Sequence, residues 1–161
     1  MTSSPTSILP RLAIAAACVF GALGVGPAHA QSAAASAPAA TVDSSLYVAL
    51  GGQPGLVKLV DDFVPRLAAD PRIGEFFKHS NLPHLEEMLV QQFCQVSGGG
   101  CAYTGIPMKL AHQDMDIAKG DFNALVEVLQ ASMDAQGIPF PTQNRLLARL
   151  APMHRDIVNV H

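Results

Sequence analysis

Beyond about residue 43, apolar side chains recur every three to four positions, the spacing that gathers them on one face of an α-helix. Ser44 or Ser45 is placed to cap a short first helix that ends at Gly51-Gly52. From Pro54, residues Leu56, Val57, Val60, Phe63, Val64 and Leu67 follow the helical period. Pro54 suits the first turn, where its missing N–H costs nothing. Pro65 falls inside this run and is expected to kink or tighten it. Asp70-Pro71 opens a short turn of helix through Phe76-Phe77. Asn81 then caps a helix carrying Leu82, Leu85, Leu89, Phe93 and Val96, which Ser97-Gly98-Gly99-Gly100 ends. A short, irregular helix is expected over 108–115, and Asp121 begins another with Phe122, Leu125, Val126, Leu129 and Met133 on one face and Gly137 as its stop. Pro141 starts the last helix, where Leu146, Leu147, Leu150, Met153 and Ile157 repeat. Strand signals are nearly absent, so the pattern predicts an all-α fold.

The beginning of the chain reads differently. Residues 12–25 are almost wholly apolar, Arg11 is the only charge before Asp43, and Ala28-His29-Ala30 has the small-x-small form of a signal-peptidase site. The apolar run is shorter than the ~20 residues of a membrane-spanning helix. Residues 1–30 are therefore expected to be a signal peptide, 31–43 an Ala/Ser/Pro-rich linker, and 44–161 the folded domain. This predicts export, to the periplasm. The alternative is a membrane-anchored form that keeps its N-terminal segment.

Charge narrows the partners. The chain has 10 Lys and Arg against 13 Asp and Glu, and charged residues are only 14% of it. Nothing basic is clustered, so nucleic acid is excluded as an expected partner, as is a membrane unless the signal is retained. So little charge favours a large apolar core or an apolar cofactor over disorder.

Among the histidines, His79, His84, His154 and the terminal His161 read as surface residues, and none pairs with another ligand at zinc spacing. His112 follows Met108-Lys109-Leu110-Ala111 in a short helix, with Ile117 and Phe122 close behind. A lone histidine there is either a hydrogen-bonded core residue or an axial haem ligand in a chain rich in Leu, Met and Phe.

Several strings bear on that choice. Ser45-Leu46-Tyr47, Leu50-Gly51-Gly52, Val60-Asp61-Asp62-Phe63, Ala69-Asp70-Pro71-Arg72 and Phe76-Phe77 run in order. They are followed by Gly98-Gly99, Tyr103-Thr104-Gly105-Ile106-Pro107-Met108-Lys109, His112, Ile117, Asp121-Phe122-Asn123-Ala124-Leu125-Val126 and Leu150-Ala151-Pro152-Met153. Together they resemble the group-1 truncated haemoglobins over 44–158. The resemblance implies a two-over-two helical sandwich around a b-type, non-covalent haem, with His112 as proximal iron ligand. It implies that Phe77 packs on the haem and that Met108, Ile117, Phe122 and Val126 line the proximal and rear walls. The implied ligands are diatomic gases: O2, CO and NO.

The distal side departs from the family. Where many members place a tyrosine in the second helix this chain has Val64, and over the iron the alignment puts Leu85 and Leu89. With Phe93 nearby, the expected distal pocket is apolar, and Gln92 is its one polar candidate. Met88 stands where some relatives carry a second histidine ligand. It either packs on the haem edge or acts as a sixth ligand, making a six-coordinate His/Met electron-transfer or redox-sensing haem with an unidentified electron donor. No distal acid–base residue is evident, so enzyme status stays open. Cys94 and Cys101 remain after Cys18 leaves with the signal, and in an oxidising compartment they are either a disulfide or two free thiols.

Overall fold

A computed structural model describes residues 43–160. The expected signal peptide and most of the expected linker lie outside them. The described chain is helical, in the order α1 (Ser45–Ala49), α2 (Gly52–Ala69), a 3₁₀ turn (Gly74–Phe77), α3 (Leu82–Ser97), α4 (Met108–Ala111), α5 (Lys119–Ala135), α6 (Phe140–Leu150), a second 3₁₀ turn (Ala151–Met153) and α7 (His154–Ile157). No strand occurs among the described residues. The four long helices make the two-over-two arrangement, with α2 against α3 and α5, and α6 against α3 and α5.

The core forms where the apolar faces meet. Leu56, Leu59, Val60, Phe63, Val64 and Leu67 of α2 are buried against Phe93 and Cys94 of α3, Leu129 and Met133 of α5, and Leu146 of α6. The rings of Phe63 and Phe93 lie 6.4 Å apart, tilted by 34°. Gln143 is buried with its amide donating to Asp134 Oδ1 at 2.7 Å and to the Ile138 carbonyl at 2.9 Å. Burying that amide would be unfavourable without these partners. They also fix the turn between α5 and α6.

Helix ends follow local chemistry, with some corrections to the expected boundaries. Asp43, rather than Ser44 or Ser45, holds the start of α1, its Oδ1 accepting from the Ser45 N–H at 3.0 Å. The helix expected from Pro54 begins at Gly52 and runs through Pro65 without interruption. Pro65 is exposed, so the carbonyl it leaves without a helical partner, on Asp61, lies on an exposed turn. Asn81 caps α3 as expected, accepting from the His84 N–H at 3.2 Å. At the other end Gly98, with φ +86°, allows the Gly99 N–H to reach back to the Cys94 carbonyl at 2.8 Å.

Helix α5 begins at Lys119, two residues before the expected start, because Asp121 accepts from the Ala118 N–H at 2.9 Å. It closes at Gly137 with the paired bonds of a Schellman turn, Ile138 N–H to Met133 at 3.0 Å and Gly137 N–H to Asp134 at 2.9 Å. The single last helix is in fact α6, a 3₁₀ turn and α7. Pro152 lacks the N–H that would continue α6, and the chain tightens there before resuming.

Candidate functional site

Between the layers lies a cavity of about 510 Å³, within the range of small-molecule and cofactor pockets. Helix α3 supplies Leu85, Met88, Leu89, Gln92 and Phe93 to its lining. Met108 and His112 come from the opposite side, Phe76 and Phe77 from the first 3₁₀ turn, and Phe122, Leu125 and Val126 from α5. The walls are overwhelmingly apolar. Ser80, Asn81 and His84 stand together at the start of α3, where the His84 side chain is 63% exposed.

His112 brings a hydrogen-bonded imidazole to this wall. Helix α4 is a single turn, Met108–Ala111, and His112 is the residue that ends it, so the longer helix expected over 108–115 is not formed. Beyond His112 the chain turns through Asp114 and Asp116, both with left-handed backbone (φ +63° and +52°), and this cannot continue a helix. The half-buried imidazole sets its Nδ1 2.8 Å from the Met108 carbonyl oxygen. A carbonyl only accepts, so the proton of this contact sits on Nδ1, and in the neutral ring Nε2 then holds the lone pair. The His112 carbonyl accepts from Asn159 Nδ2 at 2.9 Å, and the Ile117 carbonyl from the Asn159 N–H at 3.0 Å. The C-terminal residues thus hold both ends of the loop that follows the imidazole.

Nearly all of the residues expected around a cofactor come together here: Phe77, Leu85, Met88, Leu89, Gln92, Phe93, Met108, His112, Phe122 and Val126 all line the cavity. Two do not. Val64 is buried in the core, and Phe63, one residue earlier on α2, lines the cavity instead. Ile117 is 7% exposed but lies off the lining. Gln92 also sits otherwise than expected. Its amide nitrogen lies 3.4 Å from Met108 Sδ and 3.6 Å from Met153 Sδ, so it reaches across to the His112 side. Sequence reasoning passed over Tyr103, Met115, Leu147, Leu150, Met153 and Ile157, all on the lining. For Leu147, Leu150, Met153 and Ile157 the helical period was the available signal. Burial pushes the Tyr103 hydroxyl above its usual range, and it donates to the Ile106 carbonyl at 3.1 Å.

His154, expected at the surface, is half-buried with its ring edge-on to Phe122 at 4.9 Å, which braces α7 against α5. Cys94 and Cys101 face each other across the glycine turn with Cα atoms 5.7 Å apart, a separation that permits a disulfide. An apolar slot of this size with one oriented imidazole fits a flat apolar macrocycle that needs a single axial nitrogen ligand.

The family pattern of bacterial-like globins matches residues 45–159. The chain belongs to this globin family. Its similarity to the group 1 truncated hemoglobin GlbN of Mycolicibacterium paratuberculosis is 32% identity over 114 residues, 71% of this chain and 84% of that protein. The corresponding figure for GlbN of Nostoc commune is 28% over 116 residues, 72% of this chain and 98% of that one. Among solved structures, truncated hemoglobin from Tetrahymena pyriformis in its Fe(III) form superposes with a TM-score of 0.69 at 25% identity, over 71% of this chain and 97% of that one. The 2/2 hemoglobin of Synechococcus, solved in a cyanomet state with covalently attached heme, agrees in fold with a TM-score of 0.67 at 22% identity, over 71% and 98%. As a truncated globin, the protein is a haem binder by family.

Proposed function

We propose that this globin binds diatomic gases (O2, CO, NO) at a b-type, non-covalently held haem whose iron is ligated by His112. The observation that carries this reading is the bond from His112 Nδ1 to the Met108 carbonyl, 2.8 Å long, in the wall of an apolar cavity. It sets the ring orientation and leaves Nε2 as a free lone pair for a metal. The haem supplies an iron with a coordination position for small ligands. This chain's residues would hold it: Phe77, Phe122 and Val126, which line the cavity, would offer flat or apolar contact, and Leu85 and Leu89 would keep the ligand side dry.

The test is the absorption spectrum of the full chain produced with haem. We expect a Soret band that His112→Ala abolishes, a five-coordinate ferrous state, and immediate CO uptake. Failure to take up haem would sink the proposal.

A second reading is a six-coordinate His/Met haem for electron transfer. Met88 favours it, because it lines the same cavity wall of α3 as Leu85 and Leu89. It predicts a six-coordinate ferrous spectrum that Met88→Leu converts to five-coordinate.

We further propose that residues 1–30 are a cleaved signal and that the protein works in the periplasm. An oxidising compartment would suit a Cys94–Cys101 disulfide. The mass of the protein recovered from a periplasmic fraction tests this: a full-length mass would favour the anchored form.

A further inference from the structure

Helix α3 grips the chain segment that leads to His112 at successive points. Cys94 meets Cys101, with Cα atoms 5.7 Å apart. Gln91 Oε1 accepts from both the N–H and the hydroxyl of Thr104, at 3.1 and 2.9 Å. Gln92 then reaches Met108, the first residue of α4, with its amide nitrogen 3.4 Å from the sulfur. The last contact is unusual. Gln92 is only 8% exposed, and its NH2 group is spread over two thioethers, both weak acceptors. A leucine would fill this apolar wall at no polar cost, so the amide is not there for burial. What it adds is direction, because its amide nitrogen stands within reach of both the Met108 and the Met153 sulfur.

Met108 bears on the imidazole through its own backbone. Its carbonyl accepts from His112 Nδ1 at 2.8 Å and from the His112 N–H at 3.2 Å. Helix α4 is one turn long and has no side-chain cap at its N-terminus, so it holds that carbonyl in place only weakly by itself. We propose that Gln92 is a positioning residue that fixes the proximal imidazole from the distal helix, by holding Met108 and through it the carbonyl bonded to His112 Nδ1. This deepens the haem reading and rests on it for the meaning of "proximal". Of the three contacts from α3, Gln92–Met108 alone acts on the residue whose carbonyl meets His112 Nδ1. The basicity of the imidazole, set by the Nδ1–H bond, follows that contact.

The experiment uses full-length wild type, Gln92→Leu, Met108→Leu and the double variant, with Gln92→Met as a second replacement should Gln92→Leu unfold by circular dichroism. Nitrogen-15 NMR of the haem-free chain reads the His112 tautomer and the exchange of its Nδ1 proton. Resonance Raman of the ferrous haem-loaded chain reads the iron–histidine stretch. Gln92→Leu should raise the Nε2–H tautomer, speed Nδ1 proton exchange roughly 2- to 10-fold, and lower the iron–histidine frequency. Met108→Leu should do the same, and the double variant no more than either, since both act on one link. Wild-type tautomer and frequency in Gln92→Leu, or effects that simply add in the double variant, would overturn the proposal. Lack of haem uptake by the wild type would sink the haem reading alone, and the haem-free tautomer would still decide the role of Gln92.

Discussion

At the scale of single residues, the ligand side of the proposed haem site is defined by what Leu85 and Leu89 lack. Bound dioxygen carries partial negative charge, and one hydrogen bond to it contributes about 1–3 kcal/mol, a factor of roughly 5–150 in affinity. Gln92, the buried amide on this helix, is turned toward Met108 and Met153. We therefore expect fast dioxygen release and ready oxidation in the wild type, with carbon monoxide comparatively favoured. Leu85→Gln or Leu89→Gln should slow dioxygen dissociation by roughly 5- to 150-fold in stopped-flow measurements and leave carbon monoxide dissociation nearly unchanged. Equal slowing of both gases would mean a steric effect rather than a hydrogen bond. His112 by itself read equally as a core residue or a ligand, and only the family resemblance singled it out; the one-turn helix it ends was not expected. The partner of its Nδ1, the Met108 carbonyl, is set by the fold of α4.

Individual elements owe their limits to short-range chemistry, and most of these were readable. Asn81 before an apolar period, Gly98 and Gly137 after one, and Asp121 three residues past Ala118 each satisfy helix-end groups from within a few residues. The break at Pro152 was equally local but was outweighed by the run of apolar positions that continues through it. The packing of α1 on α2 is less local: a Cβ on Gly55 would collide with the Leu50 carbonyl, so the first turn of α2 can lie this close only with glycine there. If Cys94 and Cys101 are joined, the closed loop should add about 2–3 kcal/mol by restricting the unfolded chain. Dithiothreitol should then lower the urea midpoint of the wild type and leave that of Cys94→Ser/Cys101→Ser untouched. An unchanged wild-type midpoint would mean two free thiols.

For the whole molecule, the surface ion pairs set a pH window. The Arg66 side chain, 2.6 Å away, holds Asp62 below the usual carboxylate range despite some desolvation. The Arg72 side chain and its backbone N–H do the same for Asp70. Arg72 also pairs with Glu127, tying the end of α2 to α5. A carboxylate lowered on folding contributes stability that is complete above its unfolded value near 4 and is lost as pH falls through the folded value. The urea midpoint should therefore be insensitive to these groups between about pH 7 and 5 and fall below about 4. Arg72→Ala should make that fall shallower, and an unaltered acid limb would show that other groups control it. Tyr103, raised by burial, acts with the opposite sign: its contribution is complete below about 10 and is lost as pH rises through its folded value.

The sequence by itself determined where the long helices lie and that they are amphipathic, because period, caps and glycine stops act over a turn or two of chain. Tertiary structure decided which side chain of each apolar face borders the cavity and which is merely buried. Neighbouring helical residues differ in direction by about 100°, so a small rotation of α2 turns Phe63 rather than Val64 to the cavity, and no local signal records that rotation. It also decided that Gln92 serves the His112 side. A glutamine on one helix finds its partners, here Met108 and Met153, only when distant segments have packed around it.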